Sequence, residues 1–324
     1  MGFEQFFAKD PDIYFLNAGT QSRAPTEVLQ WMRAKRDKSE LNPTRAMVES
    51  FPALWEAQKQ MAEFLGAAPG DIFLRANITS AFNDFLFALP LPQGSEILVP
   101  DLEYGAISEL AKWRTRETGL SFRRFELFPQ SLKGDSEIVA ACVAALRPET
   151  KVFIVSHVAT ATGTVLPIAA IAAELRKRGI YTLVDGAHAV GALPLDLSQL
   201  SDLDFYGGNF HKWFMGPAGT GFGWVHPRWK NKLDWKFGGW SSFGCHSSYG
   251  SFGDGDPETC RRLIPGTIDP IPFLALPEVL KFWRMHGPEK IRAQQNVWRD
   301  LVGELAEDFG WERTCPQAGL AALI

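Results

Sequence analysis

The chain has 324 residues, 46% hydrophobic and 22% charged, a globular balance that excludes intrinsic disorder and fits one large domain or two smaller ones. The 33 Lys+Arg against 37 Asp+Glu leave a net charge of −4, which does not favour the concentrated basic face that nucleic acid asks for. No apolar run approaches the ~20 residues of a membrane helix, and the start MGFEQFFAKDPD lacks the basic region and apolar core of a signal peptide. Four scattered cysteines, Cys142, Cys245, Cys260 and Cys315, match neither a disulfide framework nor zinc-ligand spacing. The expectation is a soluble, cytoplasmic protein with no metal site, no membrane contact and no nucleic-acid partner.

In chain order, residues 77–81 (NITSA) open an apolar helical stretch over 82–89. Residues 96–100 (EILVP) read as a short strand. A helix over 105–116 follows, with Ile107, Leu110, Ala111 and Trp113 at helical spacing. Residues 120–127 (LSFRRFEL) alternate as a strand should, 137–146 read as a helix, and 152–156 (VFIVS) as a fully buried strand. An amphipathic helix over 168–178 stops at Gly179, and 180–184 (IYTLV) form another buried strand. Buried strands without alternation, separated by helices, predict a mainly parallel, doubly wound α/β sheet covered on both faces. Residues 216–225 turn and then add one more strand, making 70–265 one large domain. Residues 1–69 are left as an N-terminal segment. From Asp269 onward the chain is proline-rich and then helical, with a long amphipathic helix over 291–309. The closing run GLAALI reads as the opening of a strand without a partner, which suggests a truncated C-terminal domain over 266–324.

In such sheets ligands lie beyond the carboxyl ends of the strands, so the residues there carry the chemistry. Asp185 ends one buried strand, where an unpaired carboxylate is costly. Taken alone, it is open between capping the next helix, binding Mg²⁺ and holding a cationic ligand atom. Ser156-His157, with Thr160, Thr162 and Gly163, follow another strand, and Asn209-Phe210-His211-Lys212-Trp213 lie just before a glycine-rich turn. Together, an aspartate at a strand end and a lysine one step later are what pyridoxal 5'-phosphate chemistry needs. The lysine amine forms a Schiff base with the cofactor aldehyde, and the aspartate keeps the pyridine nitrogen protonated. The phosphate needs helix N-terminal N–H groups and small hydroxyls, which residues 77–81 supply. Tyr104 is placed to stack on the ring.

These pieces resemble the class V aminotransferase family of fold type I PLP enzymes, which includes cysteine desulfurases, kynureninase and isopenicillin N epimerase. YFLNAGTQSRAP, ANITSAFN, DLEYGAI, SHVATATGTVLPI, VDGAHAVG, GGNFHKW and PGTIDPIPF run in the family's order over nearly the whole chain. VDGAH followed by HKW is the most specific pairing, and Tyr104 with NAGT and GTID sets the chain nearest the epimerase-like branch. The resemblance implies a large PLP-binding domain and a smaller α+β domain, with residues 1–69 packed on the latter and on a dimer partner. It implies Lys212 as Schiff-base lysine and proton shuttle, Asp185 at the pyridine nitrogen, and His188 and Thr160 at the ring hydroxyl. Thr79, Ser80, Asn209 and His211 would hold the phosphate. Gly266 and Thr267 would reach the phosphate of the neighbouring subunit, implying a homodimer with shared sites. Asn17, in the N-terminal segment, is a substrate candidate.

Two departures bear on the substrate. Ile268 stands where the family commonly has the arginine of GTRD. The family's arginine for the substrate carboxylate lies beyond Ile324, which leaves Arg45, in NPTRAMVES, as the motif-based candidate beside its reading as a solvated loop residue. The expected activity is epimerase-like chemistry at the α-carbon of an amino acid, with transamination, C–S lysis or desulfuration as alternatives. None of the four cysteines matches a desulfurase loop. A Mg²⁺-dependent nucleotide enzyme is disfavoured because GxxxxGK[ST] is missing from the sequence. A non-catalytic PLP-binding protein stays open.

Overall fold

The computed structural model describes residues 3–13, 15–116, 119–236, 238–239, 246–247, 250–251 and 266–311. The GLAALI run, Cys245, Cys260 and Cys315 lie outside the described residues. The chain begins with helices α1 (Thr26–Glu40) and α2 (Pro43–Phe64). It then builds a sheet from β1 (Ile72–Arg75), β2 (Glu96–Pro100), β3 (Ser121–Phe125), β4 (Thr150–Ser156), β5 (Tyr181–Asp185), β6 (Phe205–Asn209) and β7 (Gly221–Val225). Between the strands lie α3 (Ile78–Ala88), α4 (Gly105–Arg116), α5 (Phe128–Ser131), α6 (Asp135–Ala144) and α7 (Ile168–Arg176). A small antiparallel pair, β8 (His246–Ser247) and β9 (Gly250–Ser251), precedes α8 (Ile271–Leu274), α9 (Leu276–His286) and α10 (Pro288–Asp308). No described helix is long and apolar enough to cross a membrane.

The seven strands lie in the order β1-β7-β6-β5-β4-β2-β3, with β7 antiparallel to both neighbours and the remaining pairs parallel. The expected mainly parallel α/β sheet is therefore present. The period of two along each strand divides its side chains between two apolar layers. Phe153 and Val155 of β4 pack into the layer shared with Leu65, Leu175 and Trp283. Val152 and Ile154 pack into the layer shared with Phe82, Phe85 and Ile107. All four are fully buried; at about 1.5–3 kcal/mol per buried aliphatic or aromatic side chain, such strands need no polar face. The edge strand β3 is only half-buried, with Phe125 packed on the first layer and Phe122 on the second.

Three elements differ from the sequence reading. β6, with the sequence FYGGN, is a central buried strand where no strand was expected. A Cβ on Gly207 would lie 2.7 Å from Ile78, and one on Gly208 would lie 2.6 Å from Val190, so packing selects glycine over β-formers there. β1 is four residues long, too short for periodicity to reveal. NPTRAMVES is not a loop. Asn42 caps α2 by accepting from the Arg45 N–H at 3.1 Å, Pro43 sits in the first turn where its missing N–H costs nothing, and Arg45 is helical.

Order along the sheet changes direction at β2 and β4: after β2 the chain adds β3 on one side, then returns to β4 on the other. The carboxyl ends of β2, β4, β5 and β6 line this edge, and the chain after β1 turns there into the N-terminus of α3. This is where ligands bind in open α/β sheets.

Candidate active site

Asp185, the last residue of β5, is in register with Ser156 of β4 and Gly207 of β6. Its Oδ1 accepts from the Ala187 N–H at 2.8 Å, and no donor among the described residues is bonded to Oδ2. Gly186 follows because a Cβ there would enter the Tyr206 ring at 2.3 Å. The turn carries His188 to a buried position. After β6 the chain makes a tight turn: the Gly216 N–H reaches Phe210 O at 2.7 Å, the Met215 N–H reaches Lys212 O at 2.8 Å, and Met215 adopts φ +65°. The turn projects Lys212, whose Nζ lies 3.2 Å from His188 Nε2. Trp213 Nε1 donates to the other ring nitrogen, Nδ1, at 3.2 Å.

The electrostatics follow burial. Lys212 is held below the ordinary lysine value by desolvation, partly opposed by the charge of Asp185. His188 falls to about 3 through burial and the proximity of Lys212, so its ring is neutral. Asp185 is raised, burial outweighing the Ala187 N–H and Lys212.

The α3 N-terminus is built from both sides. Asn77 Oδ1 accepts from the Ser80 N–H at 2.9 Å and from its hydroxyl at 3.1 Å, while Asn209 Oδ1, from the end of β6, accepts the Ile78 N–H at 2.9 Å. Asn209 thus ties the helix to the strand through its carbonyl, leaving its NH₂ for another partner. His211 Nδ1 is 2.9 Å from Thr220 O; a carbonyl only accepts, so Nδ1 carries the hydrogen. Thr79 and Ser80 are half-buried at the same helix start.

The structure therefore gathers Lys212 with His188, Asp185 on the neighbouring strand end, and Thr79, Ser80 and Asn209 at the α3 N-terminus, with His211 held on Thr220 beside Lys212. Thr160 is exposed in the turn after β4, and Tyr104, after β2, is 49% exposed. Gly266 and Thr267 are exposed and not bonded to this group. Arg45 is solvent-exposed, lies in α2 rather than in a loop, and pairs with Glu49 at 2.7 Å. Asn17 accepts the Thr20 N–H at 3.2 Å within its own turn. That turn nonetheless reaches the site: the Ser22 N–H donates to His211 O at 2.8 Å. A Cβ on Gly19 would stand 3.4 Å from Trp213 and 3.5 Å from His188.

Sequence reasoning passed over Glu103. It is buried, and its Oε1 accepts from the Tyr104 N–H and the Ser156 hydroxyl, both at 2.8 Å, while Oε2 is buried without a partner. Burial and the charge of Asp185 push it up to about 8, so Glu103 is the protonated carboxyl behind the site. Trp283 of α9 was missed too: its Nε1 donates to Phe214 O at 2.8 Å, and it stacks on that ring at 5.5 Å and 11°, clamping the lysine turn from below. The strand-end rule that singled out Tyr104 applies equally to Glu103. Trp283 has no local signal.

A seven-stranded, mostly parallel sheet with an aspartate and a lysine on adjacent strand ends and a helix N-terminus beside them is the frame of a fold type I PLP-dependent enzyme. The chain belongs to the family described as aminotransferase class-V, whose model matches residues 13–306, and the cofactor of that family is pyridoxal 5'-phosphate. It is 35% identical over 305 residues to isopenicillin N epimerase of Streptomyces clavuligerus, spanning 92% of this chain and 76% of the relative. It is 26% identical to a probable cysteine desulfurase of Xylella fastidiosa (strain 9a5c) over 92% of this chain and 70% of that protein. Among solved structures, a C-DES mutant with glycine covalently linked to the PLP cofactor matches with a TM-score of 0.81 at 26% identity, covering 94% of this chain and 81% of that one. The cystine C–S lyase C-DES in complex with its reaction product, cysteine persulfide, matches with a TM-score of 0.76 at 28% identity, covering 88% and 75%.

The residues present fit the cofactor. A buried carboxylate with an oxygen unbonded among the described residues suits a protonated ring nitrogen, a desolvated lysine suits an aldehyde, and a helix start with two hydroxyls suits a phosphate.

Proposed function

We propose that this chain is an epimerase-like PLP enzyme that moves a proton at the α-carbon of an amino acid, with Lys212 as the base. The observation that supports it best is the position of Lys212, desolvated, 3.2 Å from a neutral His188 and one strand from Asp185. When bound, the cofactor supplies a conjugated cationic ring that accepts the electron pair left at the α-carbon. Lys212 would hold it at the aldehyde and Asp185 at the ring nitrogen. His188 and Thr160 would approach the ring hydroxyl and Tyr104 the ring face. Thr79, Ser80, Asn209 and His211 would hold the phosphate.

The chain's own residues then divide the work. The Lys212 amine, freed on substrate entry, takes the α-proton; desolvation lowers its basicity toward neutral pH, where a general base is most effective. Asp185 would hold a positive charge at the ring nitrogen from a water-poor site, where electrostatic stabilisation is largest. The Asn17–Ser22 turn, bonded to His211 O, covers His188 and Trp213 and narrows access to solvent. Inversion needs a second acid facing Lys212 across the α-carbon, and Tyr104, in the turn after β2, is the candidate. We place the active form as a cytoplasmic homodimer, with Gly266 and Thr267 of one copy serving the phosphate of the other.

The match to a cystine C–S lyase favours a second reading, β-elimination from a sulfur amino acid, for which Lys212 alone suffices as base. Desulfuration by Cys142 is not supported, because that thiol is buried on the inner face of α6 and raised to about 12. The deciding experiment incubates holoenzyme with L-amino acids in D₂O and follows the α-proton by NMR. Exchange that disappears in Lys212→Ala supports the proposal. D-isomer would then identify an epimerase, and pyruvate with released thiol or persulfide a lyase. No exchange with any amino acid, or exchange unchanged in Lys212→Ala, overturns it.

A further inference from the structure

Indole has one polar hydrogen and only donates. Trp213 Nε1 points at His188 Nδ1 from 3.2 Å, so Nδ1 must present its lone pair. A neutral imidazole carries one hydrogen, which then sits on Nε2, the nitrogen 3.2 Å from Lys212 Nζ. A hydrogen on Nε2 needs an acceptor, and an ammonium offers none. The three side chains satisfy both contacts in one arrangement only: Trp213 donates to His188, and His188 donates to a neutral Lys212 amine. A protonated Lys212 would face an N–H and break one of the two bonds.

The geometry points to Trp213 as a positioning residue that selects the Nε2–H tautomer of His188 and, through it, the free-base form of Lys212. This deepens the proposed role of Lys212 and rests on that reading. The arrangement is built: Gly19 packs against both rings, where a Cβ would meet Trp213 at 3.4 Å and His188 at 3.5 Å. Met215, at φ +65°, closes the turn that carries Trp213, through its N–H to Lys212 O. The charge acting on Lys212 is that of Asp185 from β5, which favours the ammonium; the charge of Lys212 in turn lowers His188, from the turn after β5, and His211, from its own turn. Burial opposes the charge on Lys212 and on both imidazoles, in the same sense as the hydrogen-bond pattern. With the cofactor bound, the same Nε2–H would be available as a donor rather than an acceptor.

The test uses the full chain freed of cofactor. Long-range ¹H–¹⁵N correlation spectra report the tautomer of each of the six histidines, and His188→Gln assigns the His188 signals by difference. The Lys212 ionisation is read from the pH dependence of its modification by trinitrobenzenesulfonate, located by peptide mapping. Wild type should show Nε2–H at His188. Trp213→Phe, which keeps the ring but removes the donor, should move His188 to Nδ1–H or to an averaged state. It should also raise the Lys212 midpoint by about one pH unit, a tenfold change in free-base fraction. In the His188→Gln background, Trp213→Phe should add nothing, because an amide has no tautomer to select. The inference is overturned by Nδ1–H in wild type, by an unchanged Lys212 midpoint in Trp213→Phe, or by a shift that persists in His188→Gln. Should Trp213→Phe fail to fold, the wild-type tautomer decides alone. Since no measurement involves turnover, a failure here leaves the Lys212→Ala exchange result standing.

Discussion

The lysine turn is held from a distance by one side chain, and that can be measured. Trp283 is fully buried, stacks on Phe214, meets Phe64 edge-on at 6.1 Å, and donates its indole N–H to Phe214 O. Trp283→Phe keeps an aromatic ring but removes the donor and part of the volume. The carbonyl left unpaired in a dry site costs about 1–3 kcal/mol, and the partial cavity adds about 1 kcal/mol. A chain of this length unfolds with an entropy of roughly 0.7 kcal/mol/K, from about 2.1 cal/mol/K per residue, so a loss of about 2–4 kcal/mol lowers Tm by about 3–6 °C. The control is Trp311→Phe, at a 51% exposed site, which should move Tm by less than about 1 °C. Differential scanning calorimetry on both variants reads the difference. If Trp283→Phe is as silent as Trp311→Phe, the clamp does not exist as described.

Two further substitutions test the groups beneath and beside the site. Glu103 holds its proton in the fold up to about pH 8, whereas the unfolded chain releases it near the ordinary carboxyl value. Stability from this group is complete at low pH and declines as pH rises through that window, because the unfolded state then binds fewer protons. Glu103→Gln should match wild-type Tm near pH 4 and exceed it increasingly toward pH 8; equal pH slopes would refute a protonated Glu103. Gly191 has φ +88°, and a Cβ there would lie 2.4 Å from Phe214 N, backbone against backbone. Gly191→Ala should destabilise by more than about 4 kcal/mol or yield insoluble protein, whereas Gly105→Ala, at a helix start with open space, should be neutral or slightly stabilising.

What the sequence disclosed follows from how each element is stabilised. β4 and β5 are covered on both faces, so VFIVS and YTLV are continuous apolar runs that a periodicity reading finds. β6 is just as buried, but its neighbours fill the space of two side chains, and FYGGN looks like a turn. Asp185, Lys212, His188 and the α3 start were legible because a strand-end position with ionisable chemistry is a local pattern. Glu103 shares that pattern but stands beside Tyr104, which drew the functional reading. The start of α2 reads as a loop because Pro43 suggests one unless Asn42 is seen as its cap. Trp283 and the pairing of Trp213 with His188 depend on contacts across 69 and 25 residues, which no window of sequence contains.

The site asks opposite things of two groups a strand apart. In the proposed role Asp185 is an anion and Lys212 a free amine, yet burial discourages the first, and the attraction between the pair favours a charged lysine. A protonated Glu103 spares Asp185 a second negative charge, and the Ala187 N–H stabilises the charge it keeps. On the other side, His188 donating to Lys212 opposes the pull of Asp185. Removing that pull should therefore move Lys212 in the direction opposite to Trp213→Phe. In cofactor-free Asp185→Asn, the Coulomb contribution that raises Lys212 is gone while its burial is unchanged. The midpoint of Lys212 modification should fall below the wild-type value, by up to about one pH unit for a single charge in a partly buried site. A midpoint that rises in Asp185→Asn would mean that the carboxylate does not face the amine, and the balance between the two groups would have to be sought elsewhere in the cleft.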